Sequence, residues 1–240
     1  MTITETGILE KAMSYAPILM FDQNEPFYPD LVGISLLEKP SPSPSFNREI
    51  LFPVEAVQFV IEYAIWWDYE IGHLYELEHV WIYVGHDGEV VDCEASFHGK
   101  VLRGLLKDRV NMVGRHVCLY SQPGKHAFSP LPVVFELLPD LYSAAGVKAG
   151  CDGLLVNDLF KDYYQTSAEI DARVRDYLQT KAFVPAMQFK EYILEPEMFM
   201  TWDKLFEIIP QRIMNRLNEL EQMNQKNGDF GAQSPYRNMK

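Results

Sequence analysis

The chain has 240 residues, is 48% hydrophobic and 13% aromatic, and carries a formal charge of −13 from 34 acidic and 21 basic side chains. That is enough apolar material for a large core in one domain with appendages, and it lacks the clustered Lys and Arg that neutralise a phosphate backbone, which argues against a nucleic-acid partner. The same balance disfavours attachment to an anionic membrane and suits a cleft that attracts cations, although ordinary solvated surface accounts for most of it.

Residues 1 to 14 read as a short helical lead-in with Ile8, Leu9 and Met13 on one weak face. Glu5, Glu10, Lys11, Asp22 and Glu25 interrupt the first thirty residues, so no secretory signal and a cytoplasmic location are expected. No apolar window approaches the length of a transmembrane segment. Ser14 to Asp22 is a proline-fixed entry into a strand, and the Pro/Ser alternation at 39 to 48 reads as an extended surface loop. From Pro53 to Trp67 a buried helix and a strand fit equally by periodicity; the reading adopted is a short helix or turn near 54 to 59 and a strand from about 60 to 67.

Strands follow at 76 to 84, at 89 to 96 after a Gly85-His86-Asp87-Gly88 turn, and at 115 to 121. Val91, Cys93 and Ala95 alternate with Asp92, Glu94 and Ser96, the two-residue period of a half-buried antiparallel strand. Lys100 to Val110 suits one or two helical turns. Thr166 to Gln179 is a helix with a Thr166/Glu169 capping box and an inward stripe of Ile170, Val174, Tyr177 and Leu178. Phe183 to Ile193 offers one more strand, and Thr201 to about Gln225 a second helix with Leu205, Ile208, Ile209, Ile213, Leu217 and Leu220 inward. The fold class is mainly β (α+β): an antiparallel β-sandwich with peripheral helices. Residues 1–200 form the sandwich domain with the helix 166–179 inserted, 201–225 the helix packed on it, and 226–240 a flexible tail.

The chemistry concentrates in Trp66 to His79, where acids and imidazoles crowd around Gly72 beside an apolar strand. On a strand Glu76 and Glu78 share a face, about 7 Å apart by strand rise, and can converge on one ion. His73 lacks that parity, so a turn at Gly72 must bring it back, and Asp68 across the loop is the natural fourth ligand. Carboxylate and imidazole together suit Mg, Ca or Mn first, with Zn or Fe as alternatives. The same two glutamates equally suit the solvated face of an edge strand. His79 falls on the opposite parity and reads as a packed residue, and Glu76-x-x-His79 occurs once where a di-iron site needs it twice. His98 and His126 sit at strand ends that meet at one rim in a sandwich, where the expected roles are metal ligand, support behind the ligands or general base; taken alone, each reads as a surface histidine. Cys93, Cys118 and Cys151 form no CxxC pair and read as buried free thiols in a reducing compartment.

Gly72-His73-Leu74-Tyr75-Glu76-Leu77-Glu78-His79 resembles the Gly-His-x-His-Asp-Trp-Glu signature of necrosis- and ethylene-inducing-peptide-like toxins and the Gly-Asp-Trp-Glu-His segment of the related vacuolar-sorting-type family. Tyr15-Ala16-Pro17-Ile18-Leu19, Ser96-Phe97-His98-Gly99 and Gly124-Lys125-His126-Ala127 support it in order and spacing, over roughly residues 14 to 130. The resemblance implies a β-sandwich with a divalent cation at one rim, held by Asp68, His73, Glu76 and Glu78, with His98 and His126 in the same cavity. Tyr75, Glu76 and Leu77 depart from the signature. The function expected is recognition of a sugar or phosphate head group, glycan or lipid-borne, through the cation. The alternatives are a metal-dependent hydrolase using His126 or His98, and an interaction module with a structural cation.

Overall fold

The computed structural model describes residues 4–52 and 56–231. Along the chain, α1 (Glu5–Met13) precedes β1 (Ile18–Asp22), β2 (Leu31–Leu37) and a small hairpin of β3 (Ser41–Pro42) and β4 (Glu49–Ile50). The two longest strands, β5 (Val57–Tyr69) and β6 (His73–Gly85), follow, then β7 (Val90–Phe97), β8 (Lys100–Arg103), β9 (Met112–Val113), β10 (His116–Ser121) and β11 (Phe128–Ser129). Short helices α2 (Val133–Glu136) and α3 (Leu141–Ala145) lead to β12 (Gly153–Leu154), α4 (Ala168–Gln179), β13 (Phe189–Tyr192), β14 (Phe199–Thr201) and α5 (Trp202–Gly231).

A seven-stranded sheet ordered β14-β2-β5-β6-β7-β8, with β12 beside β6, packs on a five-stranded sheet ordered β11-β10-β1-β13, with β9 beside β10. The α+β sandwich expected from the sequence is what the chain forms. Most pairings are antiparallel; β1 with β10, β2 with β14 and β6 with β12 run parallel. Strands β5 and β6 are central and covered on both faces, so nearly every residue is buried and their apolar runs do not alternate. This is why periodicity alone left 53 to 67 open between helix and strand.

One face of the large sheet meets the smaller sheet. The other receives α5 through Leu205, Ile209, Ile213 and Leu217, all buried, and Gly33 on β2 makes room for it, since a Cβ there would lie 2.9 Å from Leu205 Cδ2. Farther along that outer face the β3–β4 hairpin covers Val60, Trp81 and Tyr83. The Pro/Ser loop is thus a fastened cover. Buried Glu62 accepts hydrogen bonds from Ser43 Oγ (2.6 Å), Ser45 N (3.2 Å), Trp81 Nε1 (2.8 Å) and the Ser45 hydroxyl.

Several boundaries differ from the sequence reading. Lys100 to Val110 forms β8 and turns rather than helix: Gly104 N bonds Cys93 O at 2.7 Å, and the Asn111 side chain ties Leu106 N and Gly104 O together. The cap of α4 is Ser167, which accepts from Ile170 N, in place of the expected Thr166 box; Thr166 instead bonds Asp171. Ile208 on α5 is 38% exposed rather than inward. Strand β5 begins at Val57, and 53–55 of the expected turn lie outside the described residues. Helix α5 runs on to Gly231, and 232–240 of the expected tail lie outside the described residues. Among the described residues no helix is long and apolar enough to cross a membrane.

Candidate functional site

Pairing of β5 with β6 assigns each side chain of the central stretch to a face. Trp67 stands opposite Glu76 and Ile65 opposite Glu78, so the two glutamates share the face toward the smaller sheet, as their spacing requires. Trp67 on that face stacks on His126, with ring centroids 4.6 Å apart. Asp68 takes the opposite face beside Trp66, whose Nε1 donates to Asp68 Oδ1 at 2.8 Å. There Arg212 and Arg216 of α5 each place a guanidinium nitrogen 2.7 Å from Asp68 Oδ2. Burial works against the Asp68 charge, but Arg212, Trp66 and Arg216 more than offset it and hold the carboxyl below its usual value. Asp68 is therefore not brought together with His73, Glu76 and Glu78.

The carboxylate that does reach the rim is Glu70, fully buried in the turn between β5 and β6. Its Oε2 accepts from Gly72 N at 2.6 Å and His73 N at 3.0 Å, while Oε1 lies 2.7 Å from Lys125 Nζ. His73 donates through Nδ1 to the Tyr75 carbonyl at 2.7 Å, which points Nε2 at Glu70 Oε2 (3.4 Å) and Glu76 Oε2 (3.7 Å). Lys125 Nζ is also 3.8 Å from Asp152. Burial opposes the Glu70 charge, but His73 and Lys125 hold its pKa below normal; burial opposes the Lys125 charge, and Glu70 raises it. Gly72 is required here for space. A Cβ on it would fall 2.7 Å from Lys125 Nζ, 3.0 Å from Asp152 Oδ2 and 3.1 Å from Glu70 Oε2, and its φ is not in the left-handed region, so the expected conformational hinge is instead a gap for side chains.

Glu78 is buried, receives the Ser96 hydroxyl and the His98 backbone N–H, and is pushed well above the ordinary carboxylate range by burial and then by Glu76. His98 Nε2 meets Gln122 Oε1 at 2.7 Å. His126 is fully buried, with Nε2 3.3 Å from Glu25 Oε1 and its ring packed on Trp67 and Phe21. His126 braces the rim from within; the residues lining the outer cleft include His98 and not His126. Tyr75, His98 and His126 all hold positive φ, 58°, 50° and 60°, a concentration of strained non-glycine backbone at this end of the sandwich.

The cleft, about 850 Å³, follows the edge of β6 from Tyr75 to His79, between Leu74, where its pairing with β12 ends, and Val80, where its pairing with β7 begins. Side chains answer its backbone: Leu77 N donates to Glu76 Oε1 (2.7 Å), His79 N to Ser96 Oγ (2.6 Å), and the Tyr75 carbonyl accepts from His73. The far walls are Ser43 to Glu49 and Leu155 to Leu159. His79, stacked on Trp81, has no hydrogen-bond partner of normal geometry at either ring nitrogen among the described residues, and burial lowers its pKa from 6.5 to about 4.

The side chains named from the sequence as a cation shell do not fit one. Asp68 is on the other face, Glu78 is held by Ser96, and an ammonium stands against Glu70. Among the described residues no three His, Cys, Asp or Glu are gathered to hold a metal ion. Glu70, Lys125 and Asp152, with Glu25 and Gln122 beside them, were not selected from the sequence. The signal for Glu70 was present in the same acidic stretch, two residues after Asp68; the others come from distant segments.

No family model and no curated protein matches this chain. Among solved structures, it is similar to NLPPya in complex with glucosamine, with 13% identity and a TM-score of 0.34 over 50% of this chain. It is also similar to Necrosis and Ethylene inducing Protein 2 from the causal agent of cocoa's Witches Broom disease, with 18% identity and a TM-score of 0.33 over 52% of this chain. Both structures come from the necrosis and ethylene inducing protein family, the first of the two groups that the central motif resembles. The match spans 64% of the length of each.

Proposed function

We propose that this chain binds a hydroxyl-rich head group, a sugar, in the cleft along Tyr75 to His79. The condition of that edge carries the reading. Its backbone groups are answered by Glu76, Ser96 and His73, so an added strand gains little there, whereas Glu76, Asn47, Asn157 and Asp158 line the cleft with side-chain acceptors and amides. Such groups pair with vicinal hydroxyls, and the volume lies within the roughly 300–1,000 Å³ of small-ligand sites. Phe46 and Leu77 supply an apolar flank. The acidic lining favours a neutral or amine-bearing sugar over a phosphate, which Glu49, Glu76 and Asp158 would repel. In this reading the protein contacts the sugar directly.

Titration calorimetry with glucose, glucosamine and glucose 6-phosphate, in the presence of a chelator, tests it. The first two are expected to bind and the phosphate to bind more weakly or not at all. Glu76→Gln should weaken the sugar by about tenfold, the loss of one charge-assisted hydrogen bond. Absence of binding by all three, or an unchanged affinity in Glu76→Gln, ends the proposal.

A further inference from the structure

We infer that the rim carries its own cation: the Lys125 ammonium, set between Glu70 and Asp152 beside His73 and Glu76, is the resident positive charge of this cluster, so that the site stands without a divalent ion and becomes a divalent-cation site when that ammonium is removed. This inference does not rest on the sugar reading.

A fully buried carboxylate such as Glu70 is costly unless it is paired and hydrogen-bonded. Its Oε2 is satisfied by two backbone N–H groups, but Oε1 makes no hydrogen bond of normal geometry, and the close contact it has is Lys125 Nζ at 2.7 Å. The chain is built to deliver that ammonium. Gly124 donates to Glu25 at 2.7 Å, Lys125 and His126 both donate to the Gln122 carbonyl, and Gly72 leaves open the volume that Nζ occupies. Gly124 N is matched on the other strand of this crossing by Ile71, which donates to the Gly124 carbonyl at 3.0 Å. The Lys125 side chain is 19% exposed and lies 3.8 Å from Asp152, so one point charge faces two carboxylates, while His73 Nε2 lies 3.4 Å from the same Glu70 and 3.7 Å from Glu76. Taking the ammonium away leaves Glu70 Oε1 unmatched, with Asp152, Glu76 and His73 as the nearby side chains; they are not gathered to hold an ion as they stand, but they are donors of the kinds that Mn, Ca or Zn draws together.

The experiment compares wild type, Lys125→Met and Lys125→Arg after chelation, by elemental analysis and by calorimetric titration with Mn²⁺. Wild type and Lys125→Arg should hold no stoichiometric metal. Lys125→Met should take up about one Mn²⁺ per chain, at least about tenfold tighter than wild type, as expected when one like charge is removed from a low-dielectric cluster, and should lose it when Glu76→Gln is added. One tightly held ion per wild-type chain, released by Glu70→Gln, overturns the inference, as does a folded Lys125→Met that gains no affinity. Should Lys125→Met not fold, the thermal midpoint of wild type decides: it is unmoved by Mn²⁺ if the ammonium holds the place, and a rise of several degrees refutes it.

Discussion

Asp68 and Glu70 are two residues apart, both buried and both ionised, yet they anchor opposite kinds of centre. Asp68 faces α5 and meets two guanidinium groups, with Asp30 sharing Arg212 at 3.3 Å. Glu70 faces the rim and meets one ammonium, which it shares with Asp152 while Glu76 stands close by. The first centre sets two guanidinium groups on one carboxylate, with Asp30 and Glu219 sharing them from outside, and fastens a helix to a sheet. The second is acid-rich, borders a cleft and leaves donor atoms uncommitted. Strand parity decides which carboxylate goes where, and the balance of charge then decides which centre is structural and which can take a ligand.

The contrast can be broken most severely on the arginine side. Arg212→Met with Arg216→Met strands a buried aspartate and should cost about 3–5 kcal/mol in urea unfolding, whereas either single change should cost about 1 kcal/mol because the other guanidinium stays. Equal costs for the single and double variants would show that the two arginines do not share one load. At the rim the only other basic group in ion-pair range of Glu70 among the described residues is the weaker His73 imidazole, 3.4 Å away, so Lys125→Met alone should cost about 3 kcal/mol, more than either single arginine change. A cost no larger than that of Arg212→Met would erase the distinction drawn between the centres.

The smallest effect is one of slope. Burial, then Glu76, keeps Glu78 protonated above the ordinary value of 4.5, so the folded chain retains a proton that the unfolded chain releases. The native state then binds more protons than the unfolded one, and this group's contribution to stability falls as pH rises from there through the folded value. Glu78→Gln should remove that decline, read as the difference between variant and wild-type urea midpoints from roughly pH 4.5 to 8. A constant difference across that range counts against the assignment.

The sequence displayed much of this. The β6–β7 hairpin was legible because Val91, Cys93 and Ala95 alternate, and Glu76 and Glu78 were placed on one face by the strand period. The end of β5 was not legible, because whether Asp68 or Glu70 turns toward the rim depends on the residue at which the strand stops, and Gly72 looked like a bend when it is a clearance. Asp152 carries no local pattern, and the segment around Lys125 pointed to His126 instead; the fold brings both to Gly72 through backbone bonds from Ile71 and Gly72 to Gly124, Gly150 and Asp152. The Pro/Ser loop read as free surface because nothing near it in sequence announces that Glu62 lies beneath.

That buried glutamate has a consequence for how the cleft changes over evolutionary time. Ser43 to Glu49 form one wall of the cleft, and Glu62, which is not among the lining residues, fixes where that wall stands. A substitution at Glu62 would thus act on the cleft from behind, shifting one wall and reshaping the opening without changing the identity of any lining residue.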